Sequence, residues 1–141
     1  MTLENNENLS LICNGEIYNY KKLADDYGFK LTTGSDSEII LHLFKEIGIE
    51  RTVKALDGVF MFVLYDEKLK TTFSARDPYG VRPGFYGSTV DGDISIASEA
   101  KALTGFCNSI IPFPPGNIWD SNSREFSPYY CLLYTSPSPR D

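Results

Sequence analysis

One histidine, one tryptophan and three cysteines are all that 141 residues hold of these types. The cysteines, Cys13, Cys107 and Cys131, are odd in number and widely spaced, with no CxxC pair. Neither a disulfide framework nor a zinc site is indicated, because both need paired or clustered ligands. Lysine and arginine form no cluster, and the net charge is -6. Nothing here could track a phosphate backbone, so no nucleic acid is expected as a partner. Long apolar runs are also missing, whereas a bilayer-spanning helix needs about 20 such residues. The opening residues are acidic and polar, unlike a signal peptide. The expectation is a cytoplasmic protein with no membrane partner.

What is present suffices for a core of one domain, since 42% of residues are hydrophobic and 13% aromatic. After a mostly polar opening over residues 1–8, Leu9 to Cys13 read as a strand running into a tight turn at Asn14-Gly15. Asn19 is placed to cap a short helix that Gly28 closes. Phe29 to Thr33 reads as extended. Ser35-Asp36-Ser37-Glu38 has the spacing of a capping box, and Ile39, Ile40, Leu43, Phe44 and Ile47 follow at helical spacing up to Gly48. A shorter helical stretch covers Arg51 to Leu56. Val59 to Tyr65 is an unbroken apolar run rich in β formers, predicting a central strand buried on both faces, with Thr71 to Arg76 as its hairpin partner. Asp77-Pro78-Tyr79-Gly80 breaks the chain. Two short strands, Phe85-Tyr86 and Asp93 to Ala97, flank a turn at Thr89 to Gly92, and a brief helix spans Ser98 to Leu103. Pro112, Pro114, Pro115 and Gly116 make a rigid loop before Asn117 to Asp120. Strand, helices and then hairpins predict an α+β fold with helices layered on antiparallel sheet. Residues 1–130 are read as the domain, and the segment 131–141, with neither period nor core content, as a disordered, non-native-looking tail.

Five groups of residues stand together in one order: Asn14-Gly15-Glu16-Ile17-Tyr18-Asn19, Gly34-Ser35-Asp36-Ser37-Glu38, Leu56-Asp57-Gly58-Val59-Phe60, Ala75 to Pro83, and Ala97 to Leu103 with Phe113-Pro114-Pro115-Gly116. The set resembles the glutaminase domain of glutamine-hydrolysing asparagine synthetases, a class II glutamine amidotransferase, over nearly all of residues 9–130. That resemblance implies an N-terminal nucleophile hydrolase, a four-layer αββα sandwich. In such enzymes an N-terminal cysteine, activated by its own α-amine, attacks the side-chain amide of L-glutamine and releases ammonia. A synthetase domain in cis, which uses ATP and Mg, receives the ammonia; the glutaminase domain itself uses no cofactor or metal.

The resemblance gives roles to particular residues. Asn14 and Gly15 would form the oxyanion hole, Asn14 through its side-chain amide and Gly15 through its backbone N–H. Glu16 and Asp36 would hold the glutamine ammonium, and Asn14 and Gly15 also touch the substrate. Pattern alone leaves an ordinary reading beside each: a strand-ending turn for Asn14-Gly15, a solvated turn residue for Glu16, and a helix N-terminal carboxylate for Asp36. Glu38 is read as structural, reaching back to the Ser35 N–H. His42 lies off the apolar stripe and reads as a surface residue. Arg76, Asp77, Arg82 and Pro83 are assigned to architecture or domain contact. The chain opens Met1-Thr2, without the family's cysteine, so the resemblance implies an incomplete domain lacking its nucleophile and first strands. Two other functions stay open: a non-catalytic module with this fold, or a related amidotransferase of the amidophosphoribosyltransferase or glucosamine 6-phosphate synthase type.

Overall fold

A computed structural model describes residues 2–6 and 8–130. In order, the elements are β1 (Thr2–Asn6), β2 (Leu9–Ile17), α1 (Tyr20–Tyr27), α2 (Glu38–Ala55), β3 (Gly58–Asp66), β4 (Thr71–Arg76), β5 (Phe85–Ser88), β6 (Ile94–Ala97), a 3-10 turn (Ala100–Leu103), β7 (Ser109–Pro112), β8 (Asn117–Asp120) and β9 (Glu125–Pro128). One sheet has six strands in the order β1-β2-β3-β4-β8-β9, and a second has three in the order β6-β5-β7. Every pairing is antiparallel.

Layering follows from the two faces of β2 and β3. Leu11, Cys13, Phe60, Phe62 and Leu64 point to one side and meet Ile39, Ile40 and Leu43 of α2 in the main core. On the opposite side Met61 joins Phe113 and Trp119 beneath Tyr86, Ile94 and Ile96 of the smaller sheet. Phe126 seals that contact, its ring 5.0 Å from both Tyr86 and Phe113. The described residues thus supply a helical layer and both sheets of the expected sandwich; the tail 131–141 lies outside them.

Several local expectations change. The mostly polar opening segment forms β1, an edge strand paired with β2, with Asn6 opposite Leu9. Asn14-Gly15 is no turn: β2 runs on to Ile17, because Gly15 at φ 144° keeps the strand paired with Phe60. Asn19 stands at the N-cap position of α1, as expected, but its side chain makes no cap hydrogen bond. Its side chain instead donates to the Ala55 carbonyl (2.9 Å) and accepts from the Asp57 N–H (2.9 Å), tying the start of α1 to the end of α2. α2 breaks at Gly48, whose φ of 82° separates the two predicted helical stretches. β3 is central, but its second face is covered only in part, and Tyr65 at its far end is 38% exposed. The four-residue strands β7 and β9 are too short to carry a pattern.

Candidate functional site

The four residues expected at the site gather at one end of β2. Ladder geometry decides which way each backbone group points. Phe60 sends its N–H to the Asp77 carboxylate and accepts the Asp77 N–H, so both its polar groups face the β4 side. The facing pair Gly15–Phe60 is therefore of the type without mutual hydrogen bonds, and the Gly15 N–H points away from β3. Two residues on, the same alternation turns the Ile17 N–H outward, where it meets the Asp36 carboxylate at 2.7 Å. β1 covers this edge only as far as Cys13 among the described residues. The Gly15 N–H and the Asp36 carboxylate therefore share one edge of β2, past the last described pairing with β1 at Cys13.

Asn14 and Glu16 project from the face of β2 that turns toward the smaller sheet. Asn14 lines a cleft of about 470 Å³ with Ile12, Met61, Ile96, Ser98 and Glu99. Glu16 faces Arg82, 3.8 Å from carboxylate to guanidinium, and both are substantially exposed. Such a pair adds little stability, but it sets which way Glu16 leans. Behind Arg82, the Arg76 guanidinium donates to the carbonyls of Arg82, Phe113 and Gly80 at 2.8, 2.6 and 2.9 Å. The buried Asp77 carboxylate accepts the N–H groups of Phe60, Tyr79 and Val81. These two residues build the loop, in line with the architectural reading.

Glu38 and His42 depart from expectation. The capping box fails because α2 begins at Glu38 itself, with Ser37 at the N-cap position, so Glu38 is too early in the helix to reach back to Ser35. The Ser35 N–H goes instead to the Thr33 hydroxyl at 3.1 Å. Glu38, 4% exposed, accepts from the Thr32 N–H (3.0 Å), the Thr33 N–H (2.9 Å) and the Thr33 hydroxyl (2.8 Å). His42 is half-buried, with Nε2 2.8 Å from Glu38 and its ring stacked on Phe29 at 5.2 Å. A helical i,i+4 spacing of Glu and His was the available signal for this pair.

Burial opposes ionisation of Glu38, yet the His42 contact and the hydrogen bonds from Thr33 and Thr32 outweigh it and hold the carboxyl at about 2, below its ordinary 4.5. A lowered carboxyl pKa stabilises the fold fully above 4.5, and the contribution fades as pH falls toward 2. Over that window the parent chain is expected to lose on the order of 3 kcal/mol that Glu38→Gln never had. Denaturant midpoints of the two proteins across the acid range check this; parallel acid limbs would refute it.

Neither described cysteine is placed to attack a substrate at this edge. Cys13 is 2% exposed on the core face of β2, and Cys107 is half-buried beside Gly87 of β5; Cys131 lies outside the described residues. No described helix is long and apolar enough to cross a membrane.

The geometry can be set beside known proteins. The glutamine amidotransferase domain family matches residues 1–114. Glutamine-hydrolyzing asparagine synthetase of Bos taurus is 51% identical over 105 residues, covering 74% of this chain and 19% of that protein. The probable glutamine-hydrolyzing asparagine synthetase of Dictyostelium discoideum is 43% identical over 145 residues, covering 96% of this chain and 26% of that protein. The chain thus spans about a fifth to a quarter of the length of these relatives. Among solved structures, the glutamine phosphoribosylpyrophosphate amidotransferase of B. subtilis aligns over 92% of this chain and 31% of its own, with a TM-score of 0.76 at 24% identity. A glutamine aminotransferase class-II domain protein from Silicibacter pomeroyi aligns over 89% of this chain and 69% of its own, with a TM-score of 0.61 at 13% identity. Those two likenesses carry the fold, which is that of the N-terminal nucleophile amidotransferases. A family match running from β1 into the loop after β7, together with relatives that share about half of their aligned residues, establishes that the chain belongs to the glutamine amidotransferase domain family.

Proposed function

We propose that residues 1–130 form a glutaminase domain that binds L-glutamine at the exposed end of β2 and supplies ammonia to the synthetase domain of a glutamine-hydrolysing asparagine synthetase. The observation that carries this is the shared edge, where the Gly15 N–H and the Ile17 N–H that holds the Asp36 carboxylate lie two residues apart along β2. A glutamine laid along it would offer its ammonium to Asp36, with Glu16 as a second negative partner. Its side-chain carbonyl would face the Gly15 N–H and the Asn14 amide. When a thiolate attacks that carbonyl carbon, the oxygen becomes an oxyanion, to which the Gly15 N–H and the Asn14 amide would donate. Collapse then expels ammonia and leaves a glutamyl thioester, which water hydrolyses. The attacking cysteine belongs to the mature N-terminus of such enzymes, and neither Cys13 nor Cys107 is suited to the task.

The acceptor chemistry is what the resemblance implies: ammonia would pass to a domain that uses ATP and Mg to activate aspartate. The likeness to the B. subtilis amidotransferase bears on the fold and not on the acceptor. We place the enzyme in the cytoplasm, with no nucleic acid or membrane partner.

Two results follow for the polypeptide Met1–Asp141. Added L-glutamine is expected to shift the amide resonances of Gly15 and Ile17, and Asp36→Asn to abolish the response. Silence at both amides in millimolar glutamine would sink the binding reading. The same polypeptide is expected to release no ammonia from glutamine above a heat-killed control. Release that Thr2→Ala abolishes would show a threonine nucleophile and overturn the expectation.

A further inference from the structure

Asp36 is fixed from one side by the Ile17 N–H at 2.7 Å. What fixes it from the other side is a chain of contacts that ends on a buried carboxylate outside the proposed substrate contacts. Glu38, its side chain 5% exposed, holds the backbone of Thr32 through both oxygens (3.0 and 3.1 Å) and that of Thr33 at 2.9 Å. It also accepts the Thr33 hydroxyl at 2.8 Å. That hydroxyl in turn accepts the Ser35 N–H at 3.1 Å, and the Ser35 hydroxyl lies 2.9 Å from the Ser37 hydroxyl. Asp36 sits between these two serines. His42 closes the chain from behind, 2.8 Å from Glu38, and is held in turn by the Phe29 ring that stacks on it. Gly34, at φ 78°, lets the segment turn between its two anchors.

We propose that Glu38 is a positioning residue for glutamine binding: by gripping Thr32 and Thr33 it sets the 32–37 segment so that the Asp36 carboxylate stands at the Ile17 N–H on the edge of β2. The inference rests on the reading of Asp36 as the ammonium partner. A carboxylate that only began a helix would have no need of two residues upstream of Gly34. Spending all its contacts on Thr32, Thr33 and His42 makes Glu38 a clamp on the loop that delivers Asp36. A side chain placed this way acts on the ligand only through where it puts another group, as outer contacts of ligating residues do.

The test compares the parent chain with Glu38→Gln, which keeps the size and removes the charge. Amide exchange and resonance position are read at Thr32, Thr33 and Ile17. Release of Asp36 should speed exchange at Ile17, a residue Glu38 does not touch, and weaken L-glutamine roughly tenfold. If Thr32 and Thr33 change while Ile17 stays protected, Glu38 is a local cap and the proposal fails. It fails equally if Ile17 is released and glutamine affinity holds. Should the parent chain bind no glutamine, the glutamine reading falls on its own, and the Ile17 amide alone decides whether the clamp exists. Thr33→Val is the second variant, removing one exposed hydroxyl from the middle of the chain of contacts. It is expected to move Ile17 in the same direction by less, and it decides the matter if Glu38→Gln does not fold.

Discussion

Gly15→Ala is expected to lose more than about 3 kcal/mol of folding stability, a large share of what a domain of this size has. A Cβ at Gly15 would lie 2.0 Å from the Val59 carbonyl oxygen and 2.7 Å from the Phe60 Cα. Both are backbone atoms of the central strand, so no side chain can rotate away. The φ of 144° adds a second penalty, because L side chains avoid that region. Relief requires β2 and β3 to part at the end that carries Asn14, Glu16 and the Asp36 contact. Gly58 answers from the facing strand, where a Cβ would meet the Glu16 carbonyl at 2.1 Å. Gly105→Ala is the control: nothing lies within 4 Å of its Cβ position, and its φ is not positive. It should change stability by less than about 0.5 kcal/mol. Thermal melts of the three chains check the prediction, and a Gly15→Ala melt within a few degrees of the parent would defeat it. The glycine is thus required by the sheet, whatever it does for a substrate.

That result bears on what could be read before the structure. Apolar runs and helical spacing marked β3, β4 and the two halves of α2, because burial imposes a period that survives in one dimension. Asn14-Gly15 misled as a turn dipeptide, since the same residue pair that closes hairpins here permits a close strand-to-strand approach that only the pairing with Val59 and Phe60 reveals. The gathering of the site followed the resemblance and not the spacing: nothing local tells Asp36 to seek the Ile17 N–H 19 residues away. His42 read as a bare surface residue because the apolar stripe ignores polar pairs, while its hydrogen bond to Glu38 and its stack on Phe29 lie off that stripe. Glu38 was rightly read as structural but given the wrong partner, since the start of α2 was placed too early. The Glu16–Arg82 contact joins residues far apart in the chain and had no signal at all.

Removing the Asp77 carboxylate is expected to do comparable damage by a different route. Asp77 is 0% exposed, and its oxygens accept the N–H groups of Phe60 at 3.1 Å, Tyr79 at 3.1 Å and Val81 at 3.3 Å. Asp77→Ala leaves all three donors without that partner. Tyr79 and Val81 are exposed residues whose amides water can reach, but Phe60 is fully buried in the central strand and has no substitute. The loss should be about 3 kcal/mol, within the range for breaking a buried charged contact. Asp77→Asn separates the parts of that sum. It keeps one oxygen for Phe60 and turns an NH2 toward two other donors, so it should fall between Ala and the parent. The consequence for the site is specific, because Asp77 and Arg76 together shape the loop that carries Arg82 toward Glu16. Denaturant unfolding gives the stabilities, and the resonances of Glu16 report the loop. A folded Asp77→Ala chain with the parent's midpoint would remove Asp77 from the framework. A destabilised one with unchanged Glu16 resonances would show that the loop holds its shape through the three Arg76 carbonyl contacts, and that Asp77 serves β3 alone.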